Sequence, residues 1–231
     1  MFHDKHKNLI ITADDFGKSE LANLSILKLA KLGKIDRVSV MTDGIFAPGE
    51  IEELAATGVK LDIHFELAWQ KKRRSKVKDN TARQGIVFLA NHFRASQRKK
   101  IFEDWKKQIE NFREIIGRNP DGINSHEYVH LFPPYFRIAL GLATEFNIPY
   151  IRFGARGFRG KRNLAHLVLN NLRCWDKKYF LASKLESSDF FASLDWIEDI
   201  NKFQKNIPEG KTEIACHPER EDEFEIIEKY F

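Results

Sequence analysis

Apolar, β-branched runs recur along the chain, and each is followed by residues whose apolar positions repeat at helical spacing. Residues 8–13 (NLIITA) form the first run, closed by Asp14, Asp15 and Gly17, and residues 19–32 then read as a helix. The pattern returns as strand 37–41 (RVSVM), helix 48–57 and strand 60–67 (KLDIHFEL). After a basic, irregular stretch over 69–95, residues 96–116 form a long amphipathic helix ended by Gly117 and Pro120. Residues 122–129 are a fourth strand, 134–146 a helix opened by proline, and 149–153 (PYIRF) a fifth strand. A second basic insertion with some helical content occupies 154–187. A short strand at 189–193, a helix at 194–206 and a last strand at 212–216 (TEIAC) complete the pattern.

Strands that alternate with helices imply one parallel sheet with right-handed crossovers, open or closed into a barrel. In either form, ligand-binding groups gather outside the carboxyl ends of the strands. Four of the strands end in residues able to bind a metal or move a proton. Asp14 and Asp15 follow the first, His64 lies in the third, His126 and His130 in the fourth, and His217 follows the last. A carboxylate with two neutral imidazoles is a three-ligand set for a divalent ion with positions left open for water and substrate. Such an ion acidifies water and polarises a carbonyl, while a carboxylate such as Asp14 takes a proton and a group such as His217 supplies one to a leaving amine.

Composition narrows the class. At 231 residues and 42% hydrophobic, the chain can bury a substantial core as a single catalytic domain over 1–231. It has no apolar run of 18 residues and no apolar core of a signal peptide, so no transmembrane segment and a cytoplasmic location are expected. Cys174 and Cys216 have no metal-ligand spacing and read as ordinary thiols. The net charge of +5 is uneven, with one run from Lys71 to Lys78 and another from Arg156 to Arg162. Such runs are solvated loops or sites for an anionic substrate, membrane surface or nucleic acid.

The segments ITADDFGKS (11–19), LDIHFEL (61–67), INSHEYVH (123–130) and EIACHPE (213–219) resemble, in order and spacing, those of the YdjC-like carbohydrate deacetylases, which include the chitooligosaccharide deacetylases. The resemblance implies a barrel-like (β/α) fold of the glycoside hydrolase and deacetylase type, a distorted TIM-like barrel with fewer than eight regular units. It implies hydrolysis of the acetamide of an N-acetylated sugar with one divalent ion, magnesium or zinc foremost, manganese or cobalt otherwise. Carried over by position, Asp15, His64 and His126 are the metal ligands, Asp14 the general base and His217 the acid. Arg152 resembles an arginine found at that point in the family and would orient Asp14 or the substrate, or else serve an ordinary surface or ion-pair role; His130 stands near the ion or packs structurally, and Asn124 is a candidate for contact with substrate or ligands. Asn124 stands where the family has Asp, and Tyr128 where it has a further His.

Two rival readings remain. HEYVH (126–130) matches the HExxH pattern of zinc peptidases, which requires both histidines on one face of a helix; Gly122, Pro133 and Pro134 crowd the segment too closely for such a helix. The other rival is a nucleic-acid or anionic-surface binding protein that uses the basic runs, although no nucleic-acid motif accompanies them. The expected partner is an acetamido sugar or oligosaccharide, and the basic insertions admit phosphorylated or lipid-linked forms.

Overall fold

A computed structural model describes residues 8–68, 70–71, 95–161 and 164–231. The first basic insertion, 69–95, therefore lies almost wholly outside the described residues.

Seven strands form one parallel sheet: β1 (Leu9–Phe16), β2 (Arg37–Val40), β3 (Lys60–Phe65), β4 (Gly122–Ser125), β5 (Gly157–Phe158), β6 (Phe190–Ser193) and β7 (Thr212–Cys216). Their spatial order is β4-β3-β2-β1-β7-β6-β5. The connecting helices are α1 (Glu20–Lys31), α2 (Glu50–Ala56), α3 (Ala95–Ile116), α4 (Pro133–Glu145), α5 (Leu164–Ser183), α6 (Ile200–Lys205) and α7 (Glu221–Tyr230). The sheet curls, and residues 149–152 span from one edge towards the other. Ile151 bridges Ile123 of β4, and Tyr150 bridges Glu186 ahead of β6. The result is a barrel-like α/β fold with fewer than eight regular strands.

Period-two alternation sorts side chains to the two faces of each strand. Val38, Val40, Leu61, Ile63 and Phe65 are fully buried and belong to the apolar core shared with the helices, where Phe65 stacks on Trp105 of α3 with centroids 4.5 Å apart. The alternate positions turn inward and are polar: Thr12, Asp14, Arg37, Ser39, Asp62, His64, Asn124 and Glu213, all buried. The barrel interior is thus a hydrogen-bonded polar network rather than the usual filling of branched aliphatics. It is packed to the point that a Cβ on Gly122 would lie 2.6 Å from the Arg37 guanidinium and 2.7 Å from the Asp62 carboxylate.

Several elements differ from the sequence expectations for identifiable reasons. The fourth strand ends at Ser125 rather than 129, because Glu127 and Tyr128 adopt left-handed φ of 53° and 56° inside a 3-10 segment, His126–Leu131. The expected fifth strand at 149–153 is reduced to two bridges and leaves the ladder at Gly154, whose φ is +62°. The insertion at 154–187 contains the two-residue strand β5 and a 20-residue helix, α5. The helix expected at 194–206 splits into a 3-10 turn at Leu194–Trp196 and α6, whose start is fixed by Asp199 accepting from the Lys202 amide. The C-terminal helix α7 was not expected from the sequence. Among the described residues no helix is long and apolar enough to cross a membrane.

Candidate metal and acid–base centre

The loop after β1 begins with a break in register. β1 pairs with β2 through Thr12 and Ala13, then shifts before Phe16, and Asp15 within the break has φ of 74°. A regular strand would send Asp14 and Asp15 to opposite faces, so the left-handed residue is what lets both engage groups on the barrel side. Such a conformation costs a non-glycine residue about 1–2 kcal/mol, and its surroundings hold it. Gly17 has φ of 99°, and a Cβ there would lie 2.7 Å from the Phe46 ring and 2.8 Å from the Met41 carbonyl oxygen. The Gly17 amide donates to Asn23 Oδ1 at 2.7 Å, while Asn23 donates to the Ile45 carbonyl and the Glu50 carboxylate, each at 2.8 Å. Ser19 caps α1 by accepting from the Ala22 amide at 3.1 Å.

Asp14 points into the barrel. Arg152 donates to both its oxygens at 2.7 and 2.8 Å, and the Ser39 hydroxyl donates to Oδ1 at 2.6 Å. Burial alone would raise this carboxyl's pKa, but the Arg152 guanidinium outweighs it and brings the pKa down to about 2. The third face of Arg152 donates through Nε to Glu213 at 2.7 Å, and Glu213 also accepts from Thr12 and from the Tyr150 hydroxyl. Arg152 is therefore a fully buried bridge between two carboxylates.

Asp15 turns towards His64 and His126. Its Oδ1 lies 3.3 Å from His64 Nε2 and 3.0 Å from His126 Nδ1, while Lys18 pairs with Oδ2 at 2.9 Å and also with Glu219. One ligand atom from each of Asp15, His64 and His126 can be chosen so that all lie within 4.8 Å of one another. Burial opposes ionisation of Asp15, yet the His126 and His64 rings beside it hold its pKa well below the usual range.

A hydrogen-bond chain orients His64. The Asn124 amide nitrogen donates to Ser39 Oγ at 2.8 Å, so its carbonyl oxygen, 2.5 Å from His64 Nδ1, accepts the imidazole proton. His64 Nε2 is then bare and buried, and among the described residues it has no hydrogen-bond donor to accept from. A lone pair facing a carboxylate oxygen at 3.3 Å repels it unless a cation lies between them. The donor set and this orphaned nitrogen both fit a divalent metal ion. Asn124 supplies the same acceptor that an aspartate would.

His217 follows β7. Its amide donates to Glu223 of α7 at 2.6 Å, and its Nδ1 lies 3.5 Å from the same carboxylate. Burial disfavours the charged ring, but Glu223 and the charges of Asp14 and Asp15 raise its pKa above the usual histidine value. His130 is placed differently. It is fully buried and donates through Nε2 to the Arg152 carbonyl at 2.8 Å, while Nδ1 accepts from Ser125 Oγ at 2.6 Å. Desolvation lowers its pKa to about 3, so it is a neutral strut behind Arg152. With Glu127 and Tyr128 left-handed, His126 and His130 do not share an α-helical face, which the peptidase motif requires.

Ser39, Glu213, Lys18 and Glu223 were not singled out from the sequence. The available signal was a polar residue at an inward position of an otherwise apolar strand, as in RVSV and TEIAC.

The fold and site together define an α/β barrel-like protein with a histidine–carboxylate centre at the carboxyl ends of its strands. Residues 8–229 match the YdjC-like protein family, and the chain belongs to it. The chain is 27% identical over 224 residues to a chitooligosaccharide deacetylase of Escherichia fergusonii, with 91% of this chain and 81% of the relative aligned. It is 24% identical over 143 residues to a carbohydrate deacetylase of Oceanobacillus iheyensis, covering 60% of this chain and 62% of that one. A solved structure of a putative cellobiose-phosphate cleavage protein from Enterococcus faecalis shares the fold, with a TM-score of 0.61 at 19% identity over 90% of this chain and 80% of that one.

Proposed function

We propose that this chain is a metal-dependent hydrolase that removes the acetyl group from an N-acetylated sugar. The observation that carries the reading is the convergence of Asp15, His64 and His126 beside an arginine-clamped Asp14. The names of the curated relatives, a chitooligosaccharide deacetylase and a carbohydrate deacetylase, support it. Asp15, His64 and His126 would hold the ion, magnesium or zinc foremost, and when bound it acidifies a water and polarises the acetamide carbonyl.

The chain's own groups then divide the proton work. Asp14, ionised and fixed by Arg152 and Ser39, accepts a proton from the attacking water. Its pKa of about 2 makes it a weak base, suited only to water that is already acidified. As the carbonyl carbon–nitrogen bond breaks, His217 gives its proton to the departing amine, leaving acetate and the free amino sugar. The raised pKa of His217 keeps it in the protonated form that this step needs.

The test is acetate release from N-acetylglucosamine oligomers and their phosphorylated forms, using chelated protein with zinc, magnesium, manganese or cobalt restored. Metal-dependent release is expected, and Asp14→Asn should lower it by about 10²–10⁴-fold. Release that survives chelation, or that is unchanged in Asp14→Asn, would refute the assignment.

A further inference from the structure

Helix α5 shows two contrasting faces. Its inner face buries His166, Leu169, Arg173, Asp176 and Phe180. Leu164, Leu167, Val168, Trp175 and Leu181 lie on the other side, and of these Leu164, Trp175 and Leu181 are 78%, 70% and 65% exposed. At 100° per residue these five fall within an arc of about 140°. Large apolar side chains are ordinarily scattered singly over a surface, so five on one side of a helix, with Trp175 among them and only Asn171 and Lys178 as exposed polar residues between them, mark a docking face.

Charge identifies the occupant. Residues 155–185 contain eight Lys and Arg and a single acid, Asp176, which is buried. Of the exposed lysines, Lys178 lies within the arc of the stripe, Lys177 about 40° beyond its edge, and Lys184 just past the end of the helix. A second copy of the chain would set these cations against their own duplicates, whereas an anionic surface would attract them. An amphipathic helix with Trp and Leu on one side and lysines beside them has the make-up of one that lies in a bilayer interface. The opposite, inner face of the same helix reaches towards the candidate site. His166, in the first turn of α5, packs edge-on against Trp196 at 5.4 Å, and Trp196 and Phe191 pack against Tyr128, whose hydroxyl lies in the field of Asp14.

We propose that the outer face of α5 is a docking surface for anionic lipid bilayers. On the deacetylase reading above, docking would bring the enzyme to a surface that carries acetamido sugars on lipid.

Co-sedimentation of the full chain with vesicles of phosphatidylcholine alone, and of phosphatidylcholine with phosphatidylglycerol, tests this directly. Wild-type protein should pellet with the anionic vesicles and be released by salt. Trp175→Glu with Leu181→Glu should weaken partitioning by at least about tenfold, and Lys177→Ser with Lys178→Ser should erase the preference for phosphatidylglycerol. Both variants should keep the circular dichroism of the wild type and its acetate release from a soluble oligosaccharide. Failure to bind either vesicle, equal binding by the Glu variant, or a wild-type dimer that this variant converts to monomer would overturn the proposal. Absence of acetate release with vesicle binding intact would instead refute the deacetylase reading and leave the docking surface standing.

Discussion

Asn124 shows how one side chain can keep a geometric role while losing a charge. Its carbonyl accepts from His64 Nδ1 and its amide nitrogen donates to Ser39, so the bare Nε2 of His64 is aimed at Asp15. Asn124→Leu should weaken zinc binding by about 10–100-fold, measured by competition with a chromogenic chelator, and Asn124→Asp should retain it. His217 gives a pH signature. Its pKa lies above the usual histidine value because Glu223 stands beside it, so kcat/KM for acetate release should fall as pH rises through that value and the proton is lost. Glu223→Gln keeps an acceptor for the His217 amide but removes the charge, and the alkaline limb should move to lower pH. A limb that stays in place would show that another group supplies the proton. The strand-end residues Asp14, Asp15, His64, His126 and His217 could be read from the sequence because each ends an apolar run. Ser39 and Glu213 show in the sequence only as polar residues within apolar strands; their roles could not be read, because their partners are 25 to 201 residues distant and only the register between strands brings them together.

At the scale of elements, α5 packs against α4 and carries the buried carboxyl of Asp176, which among the described residues has no hydrogen-bond partner on either oxygen. Burial raises its pKa to about 7, with Arg137 of α4 only partly opposing the shift. The folded chain therefore keeps a proton that the unfolded chain loses near the ordinary aspartate value, and this group makes stability fall as pH rises from there towards 7. Asp176→Asn should raise stability to denaturant by about 1–3 kcal/mol at pH 8 and leave it nearly unchanged at pH 4. The same helix shows where sequence reading stops. Its basic flank makes 154–187 look like a loop insertion, and its outward apolar residues blur the contrast between faces that would mark a surface helix. The strands were more legible because alternation and β-branching survive burial on both sides. The exception is 149–153, whose composition is that of a strand but whose ladder ends after two bridges at left-handed Gly154.

Across the whole molecule, the polar interior ties stability to the site. Arg152 is fully buried, and its guanidinium pairs with Asp14 and Glu213 and lies over the Phe191 ring, so removing it leaves two buried carboxylates without their cation. Arg152→Met should cost about 3–5 kcal/mol in denaturant unfolding and should also abolish acetate release. A variant that loses activity at unchanged stability would confine Arg152 to orienting Asp14. The order of strands has another consequence. The first strand lies in the middle of the sheet, and its partner on one side is the last, with Leu9 beside Thr212 and Ala13 beside Cys216. A chain still emerging from the ribosome exposes one edge of β1 until residues 212–216 have been made, and Asp14 gains its neighbour His217 only then. At the usual pace of synthesis, about 5–20 residues per second, that interval is on the order of ten seconds or more. Throughout it the nascent chain is open to mispairing, and premature termination anywhere upstream of β7 yields a product that lacks both this neighbour of β1 and His217.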